Sequence, residues 1–421
     1  MSVTIPSDRR VALTGIGVVA PTGLNTADWW QATRNGVSGI RPITRFDTGK
    51  YAAKLAGEVE GFEATDFIDQ RLVVQTDRWT HMALAAAQMA LADAALDPSQ
   101  HDPYSMSVIT ASSSGGNEFG QREIQNLWGK GPLFVGAYQS IAWFYAATTG
   151  QIGIKHGLKG ASGVVLAEGA GGLEALAQAR RAIRRGIDVV VSGGLEAPIG
   201  PYALTCQLQN GRLSTEASPE DAYRPFDARA NGQVMGEGGA ILIAESLERA
   251  RERGAPQLYA EVAGYGATND AYHYGRPSPD PAQYARAMTL ALANAGVDPA
   301  DVDVVFADAA GLLDDDALEV AALKRVLGAR VADVPVTAPK AAVGRLYAGG
   351  APLDVAAALL AIRDGVIPPI VNLVEPAAGN ELDFVMGSAR EATIDTALVA
   401  ARGYGGFNAA LVLRRVDAGG G

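Results

Sequence analysis

The chain repeats itself. Leu91-Ala92-Asp93-Ala94-Ala95-Leu96-Asp97-Pro98 returns as Leu292-Ala293-Asn294-Ala295-Gly296-Val297-Asp298-Pro299, and each copy runs into a short apolar stretch, Met106 to Thr110 and Val302 to Ala307. Gly171-Gly172 returns as Gly349-Gly350, and Ala182-Ile183-Arg184-Arg185-Gly186 as Ala361-Ile362-Arg363-Asp364-Gly365, at nearly the same offset. Duplicated strand–helix alternation predicts two α/β halves packed together, with a site at strand ends between them. The charged stretch Arg251 to Gln257, holding Gly254 and Pro256, divides residues 1–254 from 255–421.

The centre of the first half is Val164 to Leu173. Val164 to Leu166 reads as a buried strand, glycines follow, and Leu173 to Ile183 has strong helix propensity. A tight strand-to-helix turn can project a nucleophile while the free N–H groups of the helix start stabilise negative charge. Here the expected apex is Gly169, which has no side chain to react.

Other elements follow from the same patterns. Arg10 to Val19 is an expected strand. The run Gly15-Ile16-Gly17-Val18-Val19-Ala20 matches a dinucleotide fingerprint formally, but Pro21 and Gly23 form a turn where that motif must open into a helix. The helix starts later, capped by Asn25 or Thr26, and stops at Gly36. Further helices are expected over Asp77 to Ala95, where His81 packs or lies at the surface, over Asn117 to about Trp128, and over Ser140 to His156 with the aromatic run Trp143-Phe144-Tyr145. Strands are expected over Tyr104 to Thr110, over Ile187 to Ser192 ending at Gly193-Gly194, and over Ala240 to Ala244. Arg180, Arg181, Arg184 and Arg185 are either a solvated helix end or a basic spot for an acidic partner.

Composition excludes several classes. Of 421 residues, 48% are hydrophobic and 19% charged, so a large core is expected, yet no run of about 18 apolar residues is present to span a bilayer. Met1 to Arg10 lacks an apolar signal core, and the single Cys206 fits a reducing compartment; a cytoplasmic protein is expected. No Cys/His zinc pattern can be built, so no metal is expected. A net charge of −11 argues against nucleic acid. Only His81, His101, His156 and His273 are available for proton transfer.

Together the motifs resemble the β-ketoacyl synthases. The likeness runs from Thr14-Gly15-Ile16-Gly17 through Arg224-Pro225-Phe226-Asp227 and Gly236-Glu237-Gly238 to Gly405-Gly406-Phe407-Asn408. It implies the thiolase fold, two duplicated halves in a five-layer αβαβα sandwich. In that family a cysteine at the strand-to-helix turn works with two histidines and a lysine. Here Gly169 takes the cysteine's place; Asp308, in Ala307-Asp308-Ala309-Ala310, takes that of the first histidine; and Arg345, in Lys340-Ala341-Ala342-Val343-Gly344-Arg345, takes that of the second. Lys340 is kept, as is Glu319, matching the family glutamate downstream of the first histidine.

Condensation needs a thiolate to carry the acyl chain, and malonyl decarboxylation needs neutral donors aimed at the enolate. Asp308 would repel that enolate, and an internal ion pair with Arg345 is expected. No residue of this chain is therefore expected to be catalytic. The pattern is similar to that of ketosynthase β subunits, or chain-length factors, of type II polyketide synthases, on Ala167-Glu168-Gly169-Ala170-Gly171-Gly172-Leu173, Val305-Phe306-Ala307-Asp308 and Gly344-Arg345-Leu346-Tyr347. Many relatives carry glutamine where this chain has Gly169.

The resemblance implies a cysteine-bearing ketosynthase α subunit as partner, and an acyl carrier protein that brings the phosphopantetheine, with no cofactor on this chain. It also implies that the helix after Gly115-Gly116 faces a tunnel, where Asn117, Gly120 and Ile124 share a face by helical spacing. Small groups there imply a deep tunnel and a long product, about a decaketide or beyond. Trp143-Phe144-Tyr145 suits a large subunit interface. The net charge repels an acidic carrier protein, which leaves the α subunit or the arginines at 180–185 for docking. Two other readings stand beside this one: a self-sufficient acyltransferase using Ser112, Ser113 or Cys206, and a thiolase-fold scaffold without chemistry.

Overall fold

The computed structural model describes residues 9–416; most of the Met1 to Arg10 segment lies outside them. In the first half, β1 (Val11–Val19), β2 (Met106–Ala111), β3 (Gly163–Val165), β4 (Val189–Glu196) and β5 (Gly238–Ser246) lie side by side in the order β3-β2-β4-β5-β1. In the second, β6 (Ala260–Asn269), β7 (Val304–Phe306), β8 (Pro335–Thr337), β9 (Thr396–Gly403) and β10 (Phe407–Arg414) lie in the order β8-β7-β9-β10-β6. The two orders are the same, and so are the directions: three parallel strands, then two antiparallel ones. The duplication seen in the sequence is a duplication of topology. Ala12 opposite Glu261 and Leu13 opposite Ala260 join the two sheets edge to edge.

Three layers of helix enclose these sheets. We label α1 (Arg78–Asp93), α2 (Asn117–Lys130), α3 (Ala147–His156), α4 (Gly171–Arg184), α5 (Ala282–Ala295), α6 (Leu313–Leu327) and α7 (Gly350–Asp364). The paired helices α4 and α7 form the middle layer, burying Leu173, Leu176, Leu353 and Leu359 against Leu242 and Val399. On the far faces, α1 covers Ile241 and Ile243, while α5 and α6 cover Leu398 and Ala400. Neighbouring residues on one strand thus face opposite layers, and strands buried on both faces read as continuous apolar runs. This is the αβαβα sandwich. No helix among the described residues is long and apolar enough to cross a membrane.

The Gly15-Ile16-Gly17 run has a packing role. A Cβ on Gly17 would sit 1.9 Å from the Ala86 carbonyl of α1, and one on Gly266 of β6 would sit 2.1 Å from the Ala287 carbonyl of α5. Each outer helix lies so close to its strand that only glycine fits beneath it.

Several expected boundaries change. Ser140 to His156 is not one helix: a short Gln139–Ala142 turn of helix and α3 flank an irregular aromatic segment. The Trp143 carbonyl accepts the Gly116 N–H at 3.3 Å, which takes that carbonyl out of a helical ladder. β2 starts at Met106, because Asp102 caps a 3-10 turn over Pro103–Ser105. Leu166 lies beyond β3 and is exposed. Gly193 and Gly194 lie inside β4, where a Cβ on Gly193 would meet the Ala240 carbonyl at 2.2 Å.

Candidate functional site

The ends of β3, β7, β8 and β9, the start of α4 and the first half of α6 converge between the halves. They bring Gly169, Asp308, Arg345, Lys340 and Glu319 together. The strained corner of this turn is Glu168, at φ +47°, next to Gly169, which is not in the left-handed region. Tyr347, at φ +50°, holds the same strained corner before α7 in the second half. Gly169 is required by space instead of conformation. A Cβ there would sit 2.3 Å from the Arg402 carbonyl and 3.3 Å from Arg345 Nη2. The turn that could carry a nucleophile is closed against its neighbour.

Asp308 and Arg345 form the expected ion pair. Arg345 Nη2 lies 3.0 Å from Asp308 Oδ2, its Nη1 donates to the Asp308 carbonyl at 3.1 Å, and its Nη2 donates to the Arg402 carbonyl at 3.1 Å. The Arg402 N–H donates back to Asp308 Oδ1 at 3.1 Å. Glu319 accepts the N–H groups of Asp308 and Ala309 at 2.7 and 2.8 Å, and the Tyr284 hydroxyl at 2.8 Å. Lys340 donates to the Ala307 carbonyl at 3.0 Å and pairs with Asp354 at 2.6 Å, staying 3.9 Å from Asp308. The retained lysine and glutamate therefore brace the turn that carries Asp308.

Three buried carboxylates, Asp308, Glu319 and Asp354, and the half-buried Glu168 face buried Lys340 and half-buried Arg345. Not all four can stay ionised at low cost. Burial pushes Glu168 and Glu319 up, Asp308's charge adding to the effect on Glu319, and pushes Asp354 up to about 6 against the pull of Lys340. Asp308 goes the other way. Burial alone would raise it, but Arg345 and then Lys340 hold it below the usual carboxylate range. Asp308 stays an anion and Arg345 a cation, so neither serves as the neutral donor that an enolate needs.

What remains open is small. A cavity of about 40 Å³ is lined by Glu168, Asp308, Arg345, Arg402, Tyr404 and Phe407, among others. That is room for a few waters, and an acyl thioester does not fit.

Among the described residues the other expected nucleophiles have no imidazole base. Ser112 is fully buried with an unpartnered hydroxyl, Ser113 and Ser114 bind Glu196, and Cys206 is exposed. His81 is buried under α1's own layer and pushed down to about 4, first by burial. Among the described residues no histidine hydrogen-bonds to any of these groups.

The family likeness can now be tested. The β-ketoacyl synthase N-terminal domain model matches residues 8–250 and the C-terminal domain model residues 259–374. The tetracenomycin polyketide synthase ketoacyl synthase beta subunit of Streptomyces glaucescens is 53% identical over 407 residues, covering 96% of this chain and 98% of that protein. The chain belongs to the β-ketoacyl synthase family. Within the family it is a ketosynthase β subunit, or chain-length factor, of the type II polyketide synthase kind. The 3-oxoacyl-[acyl-carrier-protein] synthase 2 of Staphylococcus aureus is more distant, at 35% identity over 98% of this chain and 99% of that protein. Among solved structures, the ishigamide ketosynthase/chain length factor superposes with a TM-score of 0.90 at 31% identity, covering 97% of this chain and 99% of that one. The AntDE:AntF complex, a type II PKS acyl-carrier protein with its ketosynthase bound to the hexaketide, superposes at 0.88 and 30% identity, over 97% and 100% of the two chains.

Family motifs outside the centre are structural. Asp227 accepts the N–H groups of Val374 and Glu375 at 2.9 and 3.0 Å, and buried Glu237 binds Arg45 and Arg78. Asn117, Gly120 and Ile124 lie apart from the remnant centre, on α2. Ile124 is exposed, Asn117 half-buried and Gly120 buried. The space beside Gly120 is filled by this chain's own Trp143, whose Cδ1 would lie 2.8 Å from a Cβ.

The arginine cluster also needs correction. Arg180 is buried and donates to the Ala263 carbonyl at 2.7 Å and to Asn294 at 2.8 Å, tying α4 to the second half. Arg184 donates to the Arg9 carbonyl, which leaves Arg181 and Arg185 exposed.

Sequence reasoning passed over Glu168, Asp354, Arg402 and Tyr284. Asp354 left a signal: one carboxylate inside Pro352-Leu353-Asp354-Val355-Ala356-Ala357-Ala358-Leu359 must be paired if that helix is buried.

Proposed function

We propose that this subunit pairs with a cysteine-bearing ketosynthase α subunit, condenses nothing itself, and limits the length of the poly-β-keto chain that the pair builds from malonyl groups. The carrying observation is the Asp308–Arg345 ion pair, which fills the former centre and leaves about 40 Å³. Residues 1–254 and 255–421 act as one body in this role. The chain carries no cofactor; phosphopantetheine arrives on an acyl carrier protein.

An unusual run of apolar surface supports the pairing. Ile124, Trp128, Leu133, Phe134, Trp143 and Phe144 are all exposed within one short stretch, and Leu133 is 95% exposed. Exposed apolar surface of this kind marks an interaction site. The α2 positions Asn117, Gly120 and Ile124 adjoin that stretch, so a tunnel bounded there would run along the subunit boundary, with Trp143 as one of its walls.

Co-expression with α subunits and a carrier protein, followed by mass spectrometry of products, tests the reading. Polyketide should form only with both subunits, and the isolated chain should take up no acyl group from malonyl or acetyl carrier protein. An acyl adduct on the isolated chain overturns it.

A further inference from the structure

Helix α2 has no cap of its own. Its first flanking residue is Gly116, which offers no side chain to the free N–H groups of the first turn. Two buried carboxylates from elsewhere in the fold hold this helix start, one at its first turn and one at the loop before it. Asp77 precedes α1 and accepts the Trp79 N–H on Oδ1 at 3.2 Å; its Oδ2 accepts the Phe119 N–H of α2 at 2.7 Å. One side chain thus caps two helices. Glu196, the last residue of β4, takes the loop before α2: Oε1 accepts the Ser113 N–H and hydroxyl, and Oε2 accepts the Ser114 N–H and hydroxyl. Both carboxylates are buried, at 3% and 0% exposure.

Beyond these two points α2 is tied to the exposed aromatic stretch, to Arg45 through Glu118, and to the helix Pro201–Gln209 through Tyr202. Glu123 accepts the Gly136 N–H, Gly116 and Gly120 lie against Ala142 and Trp143, and Gln121 accepts the Tyr202 N–H at 2.9 Å. The helix and the stretch form one apron, and Asp77 and Glu196 fasten it to the sandwich.

We propose that Asp77 and Glu196 are positioning residues for chain-length control: they set where α2, with Asn117, Gly120 and Ile124, stands relative to the body of the subunit. The inference rests on the reading of α2 as a tunnel wall. Bonds from an ionised carboxylate to backbone N–H groups are the strong kind, and both acceptors are used on both oxygens, so neither an amide nor an alanine replaces them fully. Burial raises both groups to about 7 against the opposing backbone hydrogen bonds, so each is costly to keep ionised and is held by its partners.

The test compares Asp77→Asn, Asp77→Ala and Glu196→Gln with Gly120→Thr in the α–β pair, reading the distribution of product lengths. Asp69→Ala, which removes the cap of the separate helix Gln70–Gln75, controls for a general loss of stability. Asp77→Asn and Glu196→Gln should raise the off-length fraction about tenfold, the effect of one charge-assisted hydrogen bond. Asp77→Ala should do more, and Asp69→Ala should leave product length unchanged. Where pairing suffers, amide hydrogen exchange of the Glu196→Gln pair gives a second reading, with protection lost over residues 113–120. If Gly120→Thr changes product length while the carboxylate variants leave length and exchange untouched, the positioning role is overturned and the tunnel wall stands. If Gly120→Thr also leaves length unchanged, the tunnel wall itself is overturned, and this inference with it.

Discussion

Arg345 holds Asp308 twice, by its carboxylate at 3.0 Å and by its backbone carbonyl at 3.1 Å. Asp308 is buried and the Arg345 side chain is only 11% exposed, so removing the arginine strands the carboxylate. Arg345→Ala should destabilise the subunit by about 3–5 kcal/mol, the usual cost of an uncompensated buried charge. Denaturant unfolding of the purified pair checks this, with Arg363→Ala, an exposed pair, as the small-effect comparison.

Returning the thiol should not return the chemistry. A side chain at 169 must displace the Arg402 carbonyl, 2.3 Å from its Cβ position, and no imidazole waits at 308 or 345. Gly169→Cys should therefore lower stability by about 1–3 kcal/mol, as overpacking does. It should also stay unacylated by malonyl carrier protein, which intact-protein mass spectrometry reads directly.

Glu196 gives a pH dependence of definite sign. Its carboxyl lies near 7 in the fold, raised from 4.5 by burial. Between those values the folded state holds a proton that the unfolded state has lost, so stability from this group is full below about 4.5 and falls as pH rises towards 7. The slope is at most about 1.36 kcal/mol per pH unit. Glu196→Gln should flatten the fall of unfolding free energy over that window by about one proton; an unchanged slope would refute the assignment.

Leu133 and Trp128 stand almost free of the rest of the chain, at 95% and 82% exposure. Leu133→Arg and Trp128→Glu should leave circular dichroism unchanged and weaken pairing with the α subunit about tenfold or more, as interface anchors do. Size-exclusion chromatography of co-expressed subunits measures it.

Arg180 and Arg185 separate two roles that the sequence merged. Arg180 binds the Ala263 carbonyl across the halves, so Arg180→Ala should cost about 1.5–3 kcal/mol of stability, while Arg185→Ala, at an exposed helix end, should cost little. Paired unfolding curves decide it.

The sequence carried the architecture because the duplication is written in short, alternating apolar runs, and both copies fold to the same strand order. It carried the emptied centre because Gly169, Asp308 and Arg345 each change a chemical group at a motif position. It did not carry Glu168's strained corner or the Arg402 carbonyl over Gly169, since backbone approach across 233 positions of chain leaves no local pattern. It merged Gln139–Ala142 with α3 because the break comes from a tertiary hydrogen bond, Gly116 to Trp143, in a run of adequate helix formers. Asp77 and Glu196 were illegible for the same reason: their targets lie far along the chain.

The filled centre beside Arg345 also bears on the stoichiometry of the proposed pair. With about 40 Å³ available, this subunit offers no seat to a thioester, so an α–β pair has one seat where two cysteine-bearing copies would have two. In the proposed pair, acyl loading of the complex should saturate at one equivalent for every two polypeptides.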